Sequence, residues 1–239
     1  MHMNDSDRTI SKDSIEILSN KPDTSKSFQE LYELGSLFQS KRQYQKSLIY
    51  AKQALNHSTE TSNQDHRVIA LVNIGCIYWE MSQLKKAMKF FQDALSASEQ
   101  FDDKETQGML HAIIGVSFWR KGDWLKAINL FKKALEYFPK GEINKEVLVS
   151  SESIKIKCLM TVMDRGIETL KNRIEIAKTQ QGLDRTLLPS FAMIPLVFFT
   201  GRKEAIPHLL ESIIPLAQQL NNNNILDFIP RLKKIMGVS

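Results

Sequence analysis

The stretch LVNIGCIYWEMSQLKKAMKFFQDAL, residues 71–95, joins two apolar patterns across a short polar break. In each half apolar residues recur at steps of three and four, as in Leu71, Ile74, Tyr78 and then Met88, Phe91, Leu95. That spacing predicts two amphipathic helices joined by a turn at MSQLK. The first half is unusual, because eight of its eleven residues from 71 to 81 are apolar and one is glycine. Such a helix is apolar on every side.

Working outward, two neighbouring stretches align without a gap: LYELGSLFQSKRQYQKSLIYAKQAL (31–55) and HAIIGVSFWRKGDWLKAINLFKKAL (111–135). Gly35, Gly75 and Gly115 fall 40 residues apart, as do Ser47, Ala87 and Ala127, then Ala54, Ala94 and Ala134. A fixed period of this size marks a solenoid of helical hairpins. Small residues recur where two helices cross, because they allow backbones to approach to about 8 Å. The turns QSKRQ, MSQLK and RKGDW each precede an aromatic residue or leucine (Tyr44, Leu84, Trp124) that starts a second helix.

These aligned residues resemble the tetratricopeptide repeat family. Leu71, Gly75, Tyr78, Ala87, Phe91 and Ala94 carry the likeness in the middle unit, and Gly115, Phe118, Ala127, Phe131, Ala134 and Pro139 in the third. The first unit has Ser47 and Ala51 at the usual alanine and aromatic places. The period is longer than the commonest value of about 34, so the chain is most similar to the long-repeat type. The resemblance implies an all-α fold: a right-handed superhelical solenoid of antiparallel helix pairs, with about five hairpins and a C-terminal capping helix. Segment 1–24 is expected to be polar with a short helix over 8–19, segment 25–140 to hold three repeats, and 141–239 to hold two degenerate hairpins and the cap. The fourth hairpin is expected over 147–178 and the fifth over 187–220, with ILDFIPRLKKIM (225–236) closing the chain. Pro189, Pro195, Pro207, Pro215 and Pro230 crowd the last 51 residues and predict kinked or shortened helices, with Pro189 and Pro207 also readable as first-turn prolines.

Composition excludes several classes. With 239 residues, 42% hydrophobic and 25% charged, the chain can bury a core. A net charge of +5 is weak for a nucleic-acid binder, which makes nucleic acid an unfavoured partner. Two cysteines, Cys76 and Cys158, form no disulfide framework and fit a reducing, cytoplasmic compartment. The polar start has no signal-peptide core, and the apolar run at 187–199 is too short to span a membrane. The five histidines are scattered without metal-ligand spacing, and neither a phosphate loop nor a nucleophile elbow occurs. No cofactor or metal and no enzymatic activity are expected. His111, where the other units have Leu31 and Leu71, reads as a packed, hydrogen-bonded core histidine, and Cys76 as an inert thiol.

Two surfaces are candidates for binding. In a stack of hairpins the first helix of each pair lines the concave side, so the third apolar face of 68–81 and of its neighbour faces a groove. Its expected lining is Tyr32, Ser36, Ile69, Val72, Asn73, Cys76, Trp79, Met109, Ala112, Ile113, Val116 and Trp119. Open tryptophans of about 150–250 Å² each exceed what a soluble monomer leaves exposed. A partner peptide or amphipathic helix, the chain's own N-terminal segment, or a second copy is expected to fill it. By the family resemblance, a charged chaperone tail is an unfavoured ligand, because Tyr32, Ser36, Met109 and Ile113 replace the lysines, asparagines and arginines that hold one; only Asn73 fits, and it also matches an asparagine that holds a peptide backbone in long-repeat relatives. The second surface is a basic edge of Lys41, Arg42, Lys46, Lys85, Lys86, Lys89, Arg120, Lys121 and Lys126, readable as a docking strip or as a solvated edge. The function expected is an interaction adaptor, with a self-associating scaffold or a peptide-responsive sensor acting through a separate effector as alternatives.

Overall fold

The computed structural model describes residues 22, 25–100, 103–138, 143, 146, 148, 151, 153–180 and 182–238. The expected helix over 8–19 lies outside them. Among the described residues are ten α-helices: α1 Phe28–Ser40, α2 Tyr44–Glu60, α3 Gln64–Glu80, α4 Leu84–Ser98, α5 Lys104–Arg120, α6 Trp124–Glu136, α7 Ile154–Thr179, α8 Leu183–Phe199, α9 Ile206–Gln219 and α10 Asn223–Met236. A short 3-10 turn, Lys203–Ala205, precedes α9. None is long and apolar enough to cross a membrane. The fold is an all-α array of helical hairpins, as the 40-residue period predicts.

Two compact units divide the chain at Ala70 and Leu71, within α3. In the first, α1 begins at a capping box in which Ser27 accepts from the Glu30 amide and the Glu30 carboxylate accepts from the Ser27 amide. The α1–α2 hairpin is fastened where the Ser47 hydroxyl donates to the Gly35 carbonyl at 2.7 Å. Here the small-residue column does more than make room, since serine also supplies a hydrogen bond.

In the second unit the glycines face aromatic rings. A Cβ on Gly75 would lie 2.5 Å from the Phe91 ring, and one on Gly115 2.6 Å from the Phe131 ring. The turns repeat a backbone feature as well: Arg42 (φ 57), Ser82 (φ 59) and Gly122 (φ 82) are all left-handed and 40 residues apart. Only the third carries the residue that adopts this region without strain.

The C-terminal half differs from expectation in one respect. Within the stretch 147–178, expected to be a two-helix unit, residues 154–179 form one unbroken 26-residue helix, which pairs with α8. Gly166 lies inside this helix, where a Cβ would sit 3.3 Å from Leu196. Among the described residues α8 packs against both α7 and α9, and α10 packs against α9. α8 runs its full 17 residues through Pro189 and Pro195, and Pro215 and Pro230 lie inside α9 and α10. Pro207 alone sits in a first turn, that of α9.

Candidate functional site

The apolar third face of α3 and α5 is where a site was expected, and in the second unit it is closed from within. Val72, Asn73, Cys76, Trp79, Met109, Ala112, Ile113, Val116 and Trp119 are all buried, and α7 and α8 pack on α5. The Trp119 indole N–H donates to the Phe191 carbonyl at 3.1 Å, and its ring lies 4.7 Å from that of Phe191. That carbonyl is available because its partner four residues on is Pro195, which has no N–H. Trp124, Phe131 and Phe228 surround the same tryptophan, so α5, α6, α8 and α10 meet in one aromatic cluster.

The α7 side of this closure is polar as well as apolar. Arg165 pairs with Glu80 at 2.5 Å, the Cys76 thiol contacts the Cys158 carbonyl at 3.7 Å, and Lys155 pairs with Asp103, the N-cap of α5. Burial favours the neutral form of Asp103, but hydrogen bonds from Lys155 and Thr106 outweigh it and hold the carboxyl below its usual range. Burial pushes the Cys76 thiol well up, which keeps it a protonated, unreactive group. The expectation that a partner, an N-terminal segment or a second copy covers this face is therefore corrected. The chain's own C-terminal helices cover it, because the apolar area is large enough to recruit the next available amphipathic helices. In the first unit Ile69 is buried and Tyr32 and Ser36 are half-buried.

His111 is buried and stacks on Tyr137 at 5.5 Å, but its Nδ1 has no hydrogen-bond partner. Burial, then Lys133, lowers its pKa. The Oδ1 of Asn73 is likewise buried without a partner. Neither residue presents chemistry to solvent.

The basic-edge residues are exposed apart from Arg120, which is half-buried with its guanidinium 5.1 Å from the Trp79 ring centre. Lys46, Lys86 and Lys126 each lie over the aromatic residue eight positions earlier, Phe38, Tyr78 and Phe118, at 5.4, 5.3 and 5.4 Å. Each of these lysines covers a ring at its own hairpin turn with its charge in water. That gives the 40-residue lysine period a packing cause.

What stays open is a trough that sequence reading did not find. α7 and α9 each pack along α8 rather than along one another, leaving a channel above α8. It consists of two cavities of about 550 and 590 Å³ that share Lys171, Met193 and Leu209. The apolar lining comes from Ile167 and Ile174 on α7, Met193 and Val197 on α8, and Leu209 and Leu216 on α9. Charges line the α7 rim. The signal available in sequence was the recurrence of small residues, Ser190, Ala205 and Ser212, on otherwise bulky helix faces.

Residues 28–100 and, separately, 113–141 match models of the tetratricopeptide repeat. Comparison with curated proteins gives no match. The matched segments take in the three aligned units with their glycine, alanine and aromatic columns, and over these residues the chain carries tetratricopeptide repeats.

Proposed function

We propose that this protein is a non-enzymatic adaptor that captures an apolar or amphipathic segment of a partner protein, and that it does so in the trough of α7, α8 and α9. Tetratricopeptide repeats generally mediate protein–protein interactions, and proteins built from them are typically not enzymes. The observation that carries the placement is a contrast within the second unit. The Trp79 and Trp119 face is used up by internal packing, whereas the trough leaves Leu183 47% exposed and Leu209 and Leu216 half-exposed. Cavities of about 550 and 590 Å³ with an apolar lining and a charged rim have the size and character of a binding cleft, which supports this placement. Only two cysteines, 82 residues apart in sequence, support a reducing, cytoplasmic compartment.

The test is affinity capture from host lysate with wild-type protein and a Leu209→Lys, Leu216→Lys variant, after circular dichroism has shown equal helicity. Partners retained by the wild type and lost by the variant are expected. Partners held equally by both would move the adaptor surface elsewhere, and no specific partner for either would overturn the adaptor reading.

A further inference from the structure

We infer that the trough is a docking site for one amphipathic α-helix of about four turns, which lies along α7 and α9 as a missing fourth helix. The inference rests on the adaptor reading above and names the kind of partner.

Three features of the walls point to a helix rather than an extended peptide or a small apolar molecule. The first is length. The lining residues run from Asp164 to Lys178 on α7, from Leu183 to Val197 on α8, and from Ala205, at the end of the 3-10 turn before α9, to Gln219. Each span is 14 residue steps, or about 21 Å of helix. The channel therefore runs along all three helices for about the length of four helical turns.

The second is the spacing of the lining. Along α9 it repeats every seven residues, with Leu209 and Leu216 forming the apolar ridge, Ser212 a small position beside it and Ala205 another in the turn just before the helix. Ile167 and Ile174 repeat in the same way on α7. Seven-residue ridges receive the knobs of a helix packed nearly parallel to them. Small residues beside the ridge let that helix approach closely.

The third is charge. The α7 rim reads Glu168, Lys171, Glu175, Lys178, with each acid paired to the lysine three residues on, at 2.9 and 3.0 Å. Like charges recur every seven residues, about 10.5 Å apart along the helix. A partner helix presents two positions of one flank in each heptad of about 10.5 Å, so alternating charges on that flank stay in register with this rim. An extended peptide presents same-side residues about 6.8 Å apart and falls out of register within two of them. Because the rim is neutral in sum, the partner's affinity comes from its apolar stripe and its orientation from the alternating flank charges.

The probes are three end-capped, fluorescently labelled 18-residue peptides. One carries a leucine stripe at heptad spacing with flank charges that oppose the α7 rim. The second has the flank charges exchanged, and the third keeps the first composition but has two central prolines. Anisotropy titrations use the full chain, the Leu209→Lys variant, and a Glu168→Lys, Lys171→Glu, Glu175→Lys, Lys178→Glu variant with the rim reversed. The first peptide is expected to bind at least tenfold more tightly than the proline peptide and to lose at least tenfold with Leu209→Lys. The rim-reversed variant is expected to prefer the charge-exchanged peptide. Equal binding of helical and proline peptides, or binding indifferent to Leu209→Lys, would overturn the helix site. Lysate partners that survive Leu209→Lys would then leave the adaptor reading standing without it, which separates the two failures.

Discussion

Trp119 and Pro195 act as a pair, and their coupling is measurable. Proline at 195 removes the amide that the Phe191 carbonyl would accept within α8, and the Trp119 indole N–H, 3.1 Å away, replaces it. Trp119→Phe keeps an aromatic ring beside Phe191 but removes the donor. The carbonyl is then buried without a partner, at a cost of about 1–3 kcal/mol, and the smaller ring adds a packing loss. Pro195→Ala restores an in-helix donor to the same carbonyl, so in that background Trp119→Phe costs only the packing part. The expected coupling is about 1–2 kcal/mol, which corresponds to about 2–8 °C of thermal midpoint for a domain of this size. Urea unfolding of the wild type, the two single variants and the double variant measures it. If the effects add to within about 0.5 kcal/mol, the indole does not serve as the substitute donor, and the account of how the apolar face is closed fails.

Other perturbations follow from the same packing. Ser82→Gly, at a left-handed and exposed turn position, is expected to raise stability by about 1 kcal/mol, while Gly122→Ala lowers it by a similar amount; chemical denaturation of both checks the sign reversal. Gly115→Ala drives a methyl group to within 2.6 Å of the Phe131 ring and is expected to cost about 1–3 kcal/mol, partly recovered by Phe131→Leu in a double variant. His111 has a lowered pKa in the folded state, so the unfolded chain takes up the proton first. Its contribution is constant above about pH 6.5 and declines as the pH falls below that value, so stability curves at several pH values should flatten there in His111→Leu. Asp103 follows the carboxylate case: its stabilisation by Lys155 is present above the ordinary carboxyl range and is lost as the pH falls through its lowered pKa, a loss that Asp103→Asn removes.

Much of this molecule is legible from sequence, and the reason is local. Helix existence, hairpin turns and the buried columns Ser47, Ala87, Ala127 and Ala54, Ala94, Ala134 follow from residues within one or two turns of each other, where a 3.6-residue period decides which face is apolar. The same reasoning located α8, α9 and the closing α10 despite their prolines. It also identified the third apolar face of α3 and α5 through Trp79 and Trp119. It divided the stretch of α7 because the two-helix rhythm of the earlier units was carried onward, whereas residues 154–179 continue as one helix whose Gly166 packs against Leu196.

What only the tertiary structure decided is which surface covers which. The contacts that close the Trp119 face join residues 72, 82 and 85 positions apart, namely Trp119 to Phe191, Cys76 to Cys158 and Glu80 to Arg165. A helix pattern states that a face must be covered and leaves its cover unspecified, because the hydrophobic effect is non-directional. The trough arises for the same reason. Each wall has an ordinary amphipathic sequence, and the open channel exists only because α7 and α9 both pack on α8 and leave the space between them unfilled.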